Sequence, residues 1–303
     1  MHLYDQLQQH FIIPNAYTNW KNYREELTQS LIKETDQITL PLSFHANMTE
    51  TDWLPTLLIV GAGACNDLDL QQLLPHYSHI TLLDSNSNSM QQALHTYHLT
   101  KHPDISCLSE SLIGITEEDY MDVCNELQFY LAESKEQLSP QSFAKHAVSL
   151  VNEQLAHRRP FSLPERSYDY VCCFGVHSQL LAMYSYIYHA FDVNLRDSIF
   201  HSFDSSVCDM AEASYMNYLK EQNDQLIPEL NTQLLSCATR TVWIGLEQQR
   251  TNAPNHSPIE GARQALDDLA ARKLLLRIRN TVWPFYPDGN ISYDMQIIQI
   301  PLV

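Results

Sequence analysis

The sequence predicts an α/β protein with a mostly parallel sheet. Short apolar runs alternate with segments of helical periodicity along much of the chain. The first apolar run, at 56–60, ends at Gly61 and has no polar alternation, which is typical of a strand buried on both faces. The last two runs, at 274–283 and 295–302, are joined by a short turn segment and must therefore be antiparallel. Hence one strand of the sheet is expected to run against the others.

Helical segments separate most of the predicted strands. Strands are expected at 56–60, 79–83, 104–108, 168–174, 240–245, 274–283 and 295–302. Helical patterns lie at 67–77, 89–98, 178–237 and 261–271. This alternation predicts a Rossmann-like three-layer αβα sandwich with a seven-stranded sheet. Its antiparallel C-terminal strand is expected between two neighbours near the edge.

Two helical segments are expected in addition to this sandwich. Residues 1–52 carry an apolar stripe through Trp20 and are interpreted as a helical N-terminal extension that acts as a lid over the acceptor site, with a loop at 43–51. The α/β domain then occupies residues 53–303. Within it, the mostly helical segment at about 116–166 is longer than an ordinary crossover, so part of it is interpreted as an insertion that covers a site.

The charge balance argues against whole classes of partner. Acidic residues outnumber basic residues by 36 to 18, which gives a net charge of −18. A chain with this charge repels phosphate backbones unless its cations cluster, and the best clusters, at 157–159 and 272–279, are short. Neither nucleic acid nor an anionic membrane is therefore expected as a partner.

The cysteines and the first residues of the chain indicate the cellular compartment in which the protein is expected. The seven cysteines include no CxxC pair and no framework spacing, so neither a zinc site nor a disulfide scaffold is expected, and no metal ligand is assigned. The first residues lack a basic stretch followed by an apolar one, and no apolar run is long enough for a membrane span. Reduced thiols without a signal peptide predict a cytoplasmic protein.

The pattern that carries chemistry begins at the turn after the first strand. Gly61, Ala62 and Gly63 allow the backbone to turn tightly and to approach a ligand, with Asn66 as the expected N-cap of the next helix. Asp84 ends the next strand, 23 positions after Gly61. A carboxylate there can accept hydrogen bonds from both hydroxyls of a ribose, although a turn or N-cap role explains the same residue.

The glycine turn alone does not distinguish between adenosine cofactors. The nicotinamide fingerprint requires glycine where this chain has Asn66, so a nicotinamide oxidoreductase is the least favoured interpretation. The chain resembles the class I S-adenosylmethionine-dependent methyltransferase family over residues 54–303, through the segments at 57–65, 109–112 and 168–175, Asp84 and the terminal hairpin. The resemblance implies methyl transfer as the activity and S-adenosylmethionine as the cofactor.

The resemblance also implies which residues surround that cofactor. The glycine turn lines the methionine portion, the acidic residue after the second strand holds the ribose, and the residues after the third strand flank the adenine. The implied cofactor-binding residues are Gly61, Ala62, Gly63, Asp67, Asp84, Ser85, Glu110, Ser111, Leu112 and Phe174. The family usually has an acidic residue where this chain has Ile59 and a third glycine where it has Cys65. Either Asp67 or Asp69 could supply the missing carboxylate for the methionine ammonium group.

The end of the fourth strand is expected to face the methyl group. His177 lies there and is the candidate general base for an acceptor hydroxyl or amine, although capping or packing against the next helix explains it equally well. The segment at 283–286 could line the acceptor pocket or only close the hairpin. The expected acceptor is a small, neutral or cationic molecule, and the alternative function is a non-catalytic S-adenosylmethionine-binding sensor or partner module.

Overall fold

The computed structural model describes residues 3–37, 54–134, 138–251 and 261–302. The expected loop at 43–51, and with it the end of the N-terminal segment, lies outside the described residues. Within the described ranges, every helix is too short or too polar to cross a membrane.

One sheet of seven strands forms the centre of the described part of the chain. The strands are β1 (Thr56–Val60), β2 (His79–Asp84), β3 (Ile105–Ser109), β4 (Tyr168–Phe174), β5 (Ala238–Arg250), β6 (Arg277–Tyr286) and β7 (Ile291–Pro301). Their order is β3-β2-β1-β4-β5-β7-β6. The first five strands pair in parallel, and β7 is antiparallel to both β5 and β6. The prediction of a seven-stranded sheet with its last strand reversed between two neighbours is confirmed.

The β6–β7 hairpin explains the reversal of the last strand. Pro287–Gly289 form one 3₁₀ turn, and Asn290 then takes a left-handed backbone conformation with a φ of 53°. A connection this short returns the chain beside the strand that it has just left, so the pairing is antiparallel. The paired region begins directly at this turn, with Tyr286 opposite Ile291.

Helices cover both faces of the sheet. They are α1 (Leu3–Gln8), α2 (Ala16–Asn19), α3 (Lys21–Gln37), α4 (Leu70–Leu73), α5 (Ser87–Thr96), α6 (Glu117–Glu133), α7 (Pro140–His157), α8 (Ala182–Ser198), α9 (Ser205–Cys237) and α10 (Ala262–Ala271). Side chains of β1 alternate between two core clusters, with Leu58 and Val60 in one and Leu57 and Ile59 in the other. The first cluster packs against α1 and α6 to α10, and the second against α2 to α5. The predicted three-layer αβα sandwich is therefore confirmed.

Two helices, α6 and α7, fill the segment between β3 and β4. A capping box formed by Thr116 and Asp119 begins α6, and Ser139 caps the start of α7. Phe143 and Val151 of α7 are fully buried against the rest of the first cluster. The helical character expected for this part of the chain is therefore observed.

The segment after β1 differs from the predicted helix at 67–77. Only α4 is α-helical, and it is followed by a 3₁₀ turn at Leu74–His76. Asp69 is the N-cap, since its side chain accepts hydrogen bonds from the backbone of Gln71 and Gln72, so the prediction for Asn66 is wrong. Pro75 lacks an N–H and disfavours continuation of the helix. The residues between the glycine turn and Asp69 are therefore loop.

Candidate active site

A cleft of about 1190 Å³ opens at the carboxyl ends of β1, β2 and β4. In open α/β sheets, ligands bind at this edge. The turns after these strands contribute one side of the cleft, and α2, α8 and the β6–β7 hairpin contribute others. Pockets for one small ligand typically have volumes of roughly 300–1,000 Å³. The volume of the cleft therefore exceeds that of a usual pocket for one small ligand.

Gly61, Ala62, Gly63 and Asp84 line one side of the cleft, which we call the glycine floor. Gly61 and Gly63 have φ values of 67° and 48°, in the left-handed region that favours glycine. A Cβ atom at Gly61 would lie 2.3 Å from Cγ2 of Val176, whereas one at Gly63 would meet no atom within 4 Å. Gly61 thus permits packing against the turn after β4, and Gly63 leaves open space above the floor.

The turn continues through Cys65, where the resembled family usually has glycine. Cys65 also adopts a left-handed conformation, with a φ of 51°, at a cost of about 1–2 kcal/mol for a residue with a side chain. Its thiol is buried and lies 3.7 Å from the carbonyl oxygen of Leu68. The backbone thus keeps a left-handed conformation there despite the side chain.

The Asp84 carboxylate connects the β1 turn to the end of β2. Oδ2 accepts a hydrogen bond from the Gly63 N–H at 2.9 Å, and Oδ1 accepts one from the Asn86 N–H at 2.8 Å. Burial raises the pKa of Asp84, and these two hydrogen bonds oppose that rise. The turn role foreseen for Asp84 is therefore observed. Asp84 and Ser85 also line the cleft, and each carboxylate oxygen retains a lone pair.

Of the two carboxylates proposed to follow the glycine turn into the site, only Asp67 lines the cleft. Asp69 instead caps α4 and accepts a hydrogen bond from the Gln72 side chain. Oδ1 of Asp67 is buried and has no hydrogen-bond partner among the described residues. Burial and the charge of Glu247, opposed by the charge of Arg24, raise the pKa of Asp67 to about 7. Asp67 is therefore a half-buried residue whose buried Oδ1 lacks a hydrogen-bond donor among the described residues.

The predicted adenine-flanking residues divide into two groups. Ser111 and Leu112 line the cleft, and Oγ of Ser111 accepts a hydrogen bond from the Ile115 N–H at 3.1 Å. Glu110 is exposed and is not part of the cleft wall, so its assignment is corrected. Phe174, at the end of β4, does line the cleft. The structure therefore brings every predicted cofactor-binding residue except Glu110 to one cavity.

His177 follows β4, but its side chain does not reach the cleft. The residue is 0% exposed, and Nε2 lies 2.9 Å from Oδ1 of Asn231 on α9. Burial lowers the pKa of His177 to about 4, against the opposing effects of that hydrogen bond and the charge of Asp268. The ring points into the core between β4 and α9. The prediction of a general base at this position is therefore corrected in favour of helix packing.

Glu247 is a site residue that sequence reasoning missed. It lies on β5, is 2% exposed and lines the cleft. Oε1 accepts a hydrogen bond from Oγ of Ser178 at 3.2 Å, while Oε2 has no partner in the described part of the chain. Burial raises the pKa of Glu247 to about 7. No motif marks this residue, because it stands in a polar stretch at the end of its strand.

Aromatic side chains from distant parts of the chain form another part of the cleft lining, which we call the aromatic wall: Trp20, Trp283, Phe285 and Tyr293. The ring centroids of Trp20 and Trp283 are 5.0 Å apart, and those of Trp283 and Phe285 are 4.8 Å apart. The indole N–H of Trp20 donates to the Phe285 carbonyl at 3.2 Å. The segment at 283–286 thus lines the cleft and closes the hairpin. Sequence reasoning gave the N-terminal helices a lid role but named neither Trp20 nor Tyr293 as a site residue.

No protein-family model and no curated protein matches this chain. Three similar solved structures differ in how much of each chain is covered. Magnesium protoporphyrin IX methyltransferase from Synechocystis PCC 6803, with bound SAH, is 10% identical over 99% of this chain and 100% of its own, with a TM-score of 0.43. The methyltransferase domain of bacterial CtHen1 is 12% identical over 82% of this chain and 90% of its own, with a TM-score of 0.38. An O-methyltransferase family 2 protein from Planctomyces limnophilus, in complex with apigenin, is 9% identical over 100% of this chain and 62% of its own, with a TM-score of 0.40.

At these identities, the assignment of the fold rests on the strand order and directions of this chain itself. Five parallel strands, with a reversed last strand inserted beside β5, form the sheet of a class I methyltransferase fold. The cleft lies at the carboxyl edge of that sheet.

Proposed function

We propose that this chain, which has the class I methyltransferase fold, binds S-adenosylmethionine and transfers its methyl group to a small-molecule acceptor. The observation that carries the proposal is one continuous cleft, bounded by the glycine floor and by the aromatic wall. The floor offers backbone groups and the Asp84 carboxylate, and Asp67 adds a second carboxylate to the cleft, which together suit a nucleoside with a charged tail. The wall offers apolar ring faces, which suit a second, less polar molecule.

The residues of the floor, and other residues that line the same cleft, fit the proposed cofactor. The open space above Gly63 allows close approach of a ligand to the backbone. The unpaired Oδ1 of Asp67 suits the ammonium group of the methionine portion, and the remaining lone pairs of Asp84 suit the ribose hydroxyls. Ser111 and Leu112 line the part of the cleft that we assign to the adenine.

The contribution of the chain itself is mainly positioning. When bound, S-adenosylmethionine supplies a methyl group that its positively charged sulfur already activates. Holding an acceptor in line with such a group contributes about 7–11 kcal/mol to lowering the barrier. The buried rings of Trp20 and Trp283 keep water from that part of the cleft. A strongly basic side chain is therefore not required for transfer.

The acceptor is proposed to be a small molecule rather than nucleic acid. A net charge of −18 repels a polyanion, and the sequence contains no long basic run to offset that repulsion. A small acceptor requires only the part of the cleft that the cofactor leaves free. The same net charge attracts a cation and makes a carboxylate the least favoured acceptor.

The second candidate is a protein that binds S-adenosylmethionine without catalysing transfer. The position of His177 favours it, because the turn after β4 presents no histidine to the cleft. A sensor needs the glycine floor but not a second ligand beside it. The aromatic wall is the feature that favours an enzyme over a sensor.

Two measurements test the proposed function in sequence. Isothermal titration calorimetry with S-adenosylmethionine, S-adenosylhomocysteine and NAD should give binding of the first two and not of the third. A coupled assay for S-adenosylhomocysteine release, run over a panel of amines, phenols and thiols, should then identify at least one acceptor. Binding without release would support the sensor, and binding of NAD alone would refute both candidates.

A further inference from the structure

The carboxylate of Glu247 and the ring of Trp283 meet at one point of the cleft. A Cβ atom placed at Gly175 would lie 3.3 Å from Oε1 of Glu247 and 3.3 Å from Cη2 of Trp283. Gly175 itself follows directly after β4 and lines the cleft. A carboxylate and an indole ring are therefore neighbours above the end of the strand that we expect to face the methyl group.

The Glu247 carboxylate is only partly satisfied within the chain. It accepts a hydrogen bond from the Ser178 hydroxyl at 3.2 Å, and its Oε2 has no partner among the described residues. The residue is nevertheless 2% exposed. A buried carboxylate oxygen without a hydrogen bond is costly, and a cation or a strong donor from a ligand would remove that cost.

The basic side chains on neighbouring elements have other partners. Titratable groups whose charges interact within this region are Asp67 after β1, Cys173 on β4, Tyr23 and Arg24 on α3, and Arg279 on β6. Arg24 donates to the Tyr17 carbonyl at 2.7 Å, and Arg279 donates to Glu26 at 3.3 Å. Lys220 also lines the cleft, but no described basic side chain forms an ion pair with Glu247, so a cationic ligand can take that place.

We propose that the acceptor is an amine, and that Glu247 binds its nitrogen and accepts its proton. This inference rests on the proposed function and specifies its substrate class. A protonated amine is attracted by its charge both to a carboxylate and to the faces of aromatic rings, whereas a neutral alcohol offers the carboxylate a hydrogen bond but no charge. The site provides both features within one short stretch of the cleft.

The proton balance of this assignment is simple. One N–H proton of the ammonium form passes to Oε2 of Glu247, and the carboxylate becomes a neutral carboxylic acid. The nitrogen lone pair is then free to form the N–C bond to the methyl group, and the electron pair of the broken C–S bond remains on sulfur. A pKa of about 7 suits Glu247 to accept a proton near neutral pH.

Asp67 and Glu247 then serve different ligands. Asp67 follows the glycine turn, beside the space that we assign to the methionine portion of the cofactor. Glu247 lies over the turn after β4, beside the aromatic wall. Removing the charge of Asp67 should therefore weaken cofactor binding much more than acceptor binding, and removing the charge of Glu247 should do the reverse.

The test measures binding rather than turnover and uses probes that differ in one group. 2-Phenylethylamine and 2-phenylethanol are titrated into the protein saturated with S-adenosylhomocysteine. The amine should bind the unmodified protein at least about tenfold more tightly than the alcohol. Glu247→Gln should weaken amine binding by about ten- to a hundredfold, as expected for loss of a charge-assisted hydrogen bond, and leave alcohol binding within about twofold.

Matched variants separate this inference from the proposed function. Glu165→Gln, the same change at an exposed position, should leave the affinities for 2-phenylethylamine, 2-phenylethanol and S-adenosylhomocysteine unchanged. Asp67→Asn should weaken S-adenosylhomocysteine binding, and Glu247→Gln should not. If Glu247→Gln weakens S-adenosylhomocysteine as much as Asp67→Asn does, Glu247 belongs to the cofactor and the inference is overturned. Failure of the unmodified protein to bind S-adenosylhomocysteine would instead refute the proposed function.

A second measurement remains decisive if Glu247→Gln does not fold, and it uses Asp67→Asn because burial raises the pKa of Asp67 to about 7 as well. Benzyltrimethylammonium carries a permanent charge, so any pH dependence of its binding comes from the protein. In Asp67→Asn its affinity should still rise by about tenfold between pH 6 and pH 8, as Glu247 loses its proton through a pKa of about 7. A flat profile, or amine and alcohol probes that bind equally, would overturn the inference.

Discussion

The glycine floor and the aromatic wall line the same cleft but are built in different ways. The floor consists of backbone groups and one carboxylate drawn from a single short stretch of chain, residues 61–84. The wall joins a residue beside α2 to the C-terminal hairpin, through a hydrogen bond between Trp20 and Phe285 that spans 265 positions. One side is therefore set by local conformation, and the other by tertiary packing.

This difference predicts how each side responds to substitution. Changes in the wall should reduce the stability of the whole fold, because its rings are part of a core cluster. Changes at the open positions of the floor should reduce ligand affinity and leave most of the fold intact. The predictions below separate these two responses.

The largest effect is expected at Trp283, which contacts Trp20, Tyr23, Phe285 and Tyr293. Trp283→Ala should lower the free energy of unfolding by about 3–5 kcal/mol, since it removes a large buried ring. Urea unfolding followed by circular dichroism measures this loss.

The matched control for that prediction is Phe129→Ala, because Phe129 is an aromatic residue that is 59% exposed on α6. Its free energy of unfolding should change by less than about 0.5 kcal/mol. Equal losses at Trp283 and Phe129 would contradict the role of the wall in the core.

Substitution of the two glycines of the floor should mainly affect stability at Gly61 and ligand binding at Gly63. Gly61→Ala should lower the free energy of unfolding by about 3 kcal/mol, because the new methyl group overlaps Val176 at a left-handed position. Gly63→Ala should cost only about 1–2 kcal/mol of stability, from its backbone conformation alone. Its methyl group would project into open space, so it should weaken S-adenosylhomocysteine binding in calorimetry. If neither variant changes the affinity for S-adenosylhomocysteine, the glycine floor is not part of the binding site.

Glu247 predicts how the free energy of unfolding depends on pH. Its pKa is raised from 4.5 to about 7, so the folded state binds this proton more tightly than the unfolded chain does. Its contribution to stability is therefore present below pH 4.5 and is lost as the pH rises through about 7. The difference in the free energy of unfolding between Glu247→Gln and the original protein should therefore shift in favour of the variant by up to about 3 kcal/mol between pH 5 and pH 8.5.

Urea unfolding at the two pH values measures this difference. Glu165→Gln is the control, because the Glu165 side chain is exposed. Its free energy of unfolding should differ from that of the original protein by the same amount at both pH values. A constant difference for Glu247→Gln as well would show that the carboxylate is solvated.

The fold was predictable because its determinants are local. The apolar run at 56–60 and the two glycines after it indicate a buried parallel strand, and the short connection between the last two strands forces them to be antiparallel. Asp84 was predictable for the same reason, since it directly ends a strand. These features do not depend on which distant residues pack beside them.

The rest of the site depends on tertiary placement. Periodicity assigns Trp20 to an apolar stripe, but it cannot show that the stripe meets the C-terminal hairpin. Glu247 occurs in a polar stretch, and only the pairing of β5 beyond the end of β4 brings it over the cleft. His177 fails for the converse reason, because the turn after β4 directs its ring towards Asn231 instead of the cleft.

The central claim, that the cleft binds S-adenosylmethionine over the glycine floor, is tested most directly at Asp84. Calorimetry should give S-adenosylhomocysteine binding to the unmodified protein, and Asp84→Ala should weaken it by about 1.5–3 kcal/mol, the range for hydrogen bonds to a charged group. Glu110→Ala, at the exposed position outside the cleft, should leave the affinity unchanged. An unchanged dissociation constant for Asp84→Ala, with its circular dichroism spectrum intact, would contradict the claim and leave Asp84 as a turn residue alone.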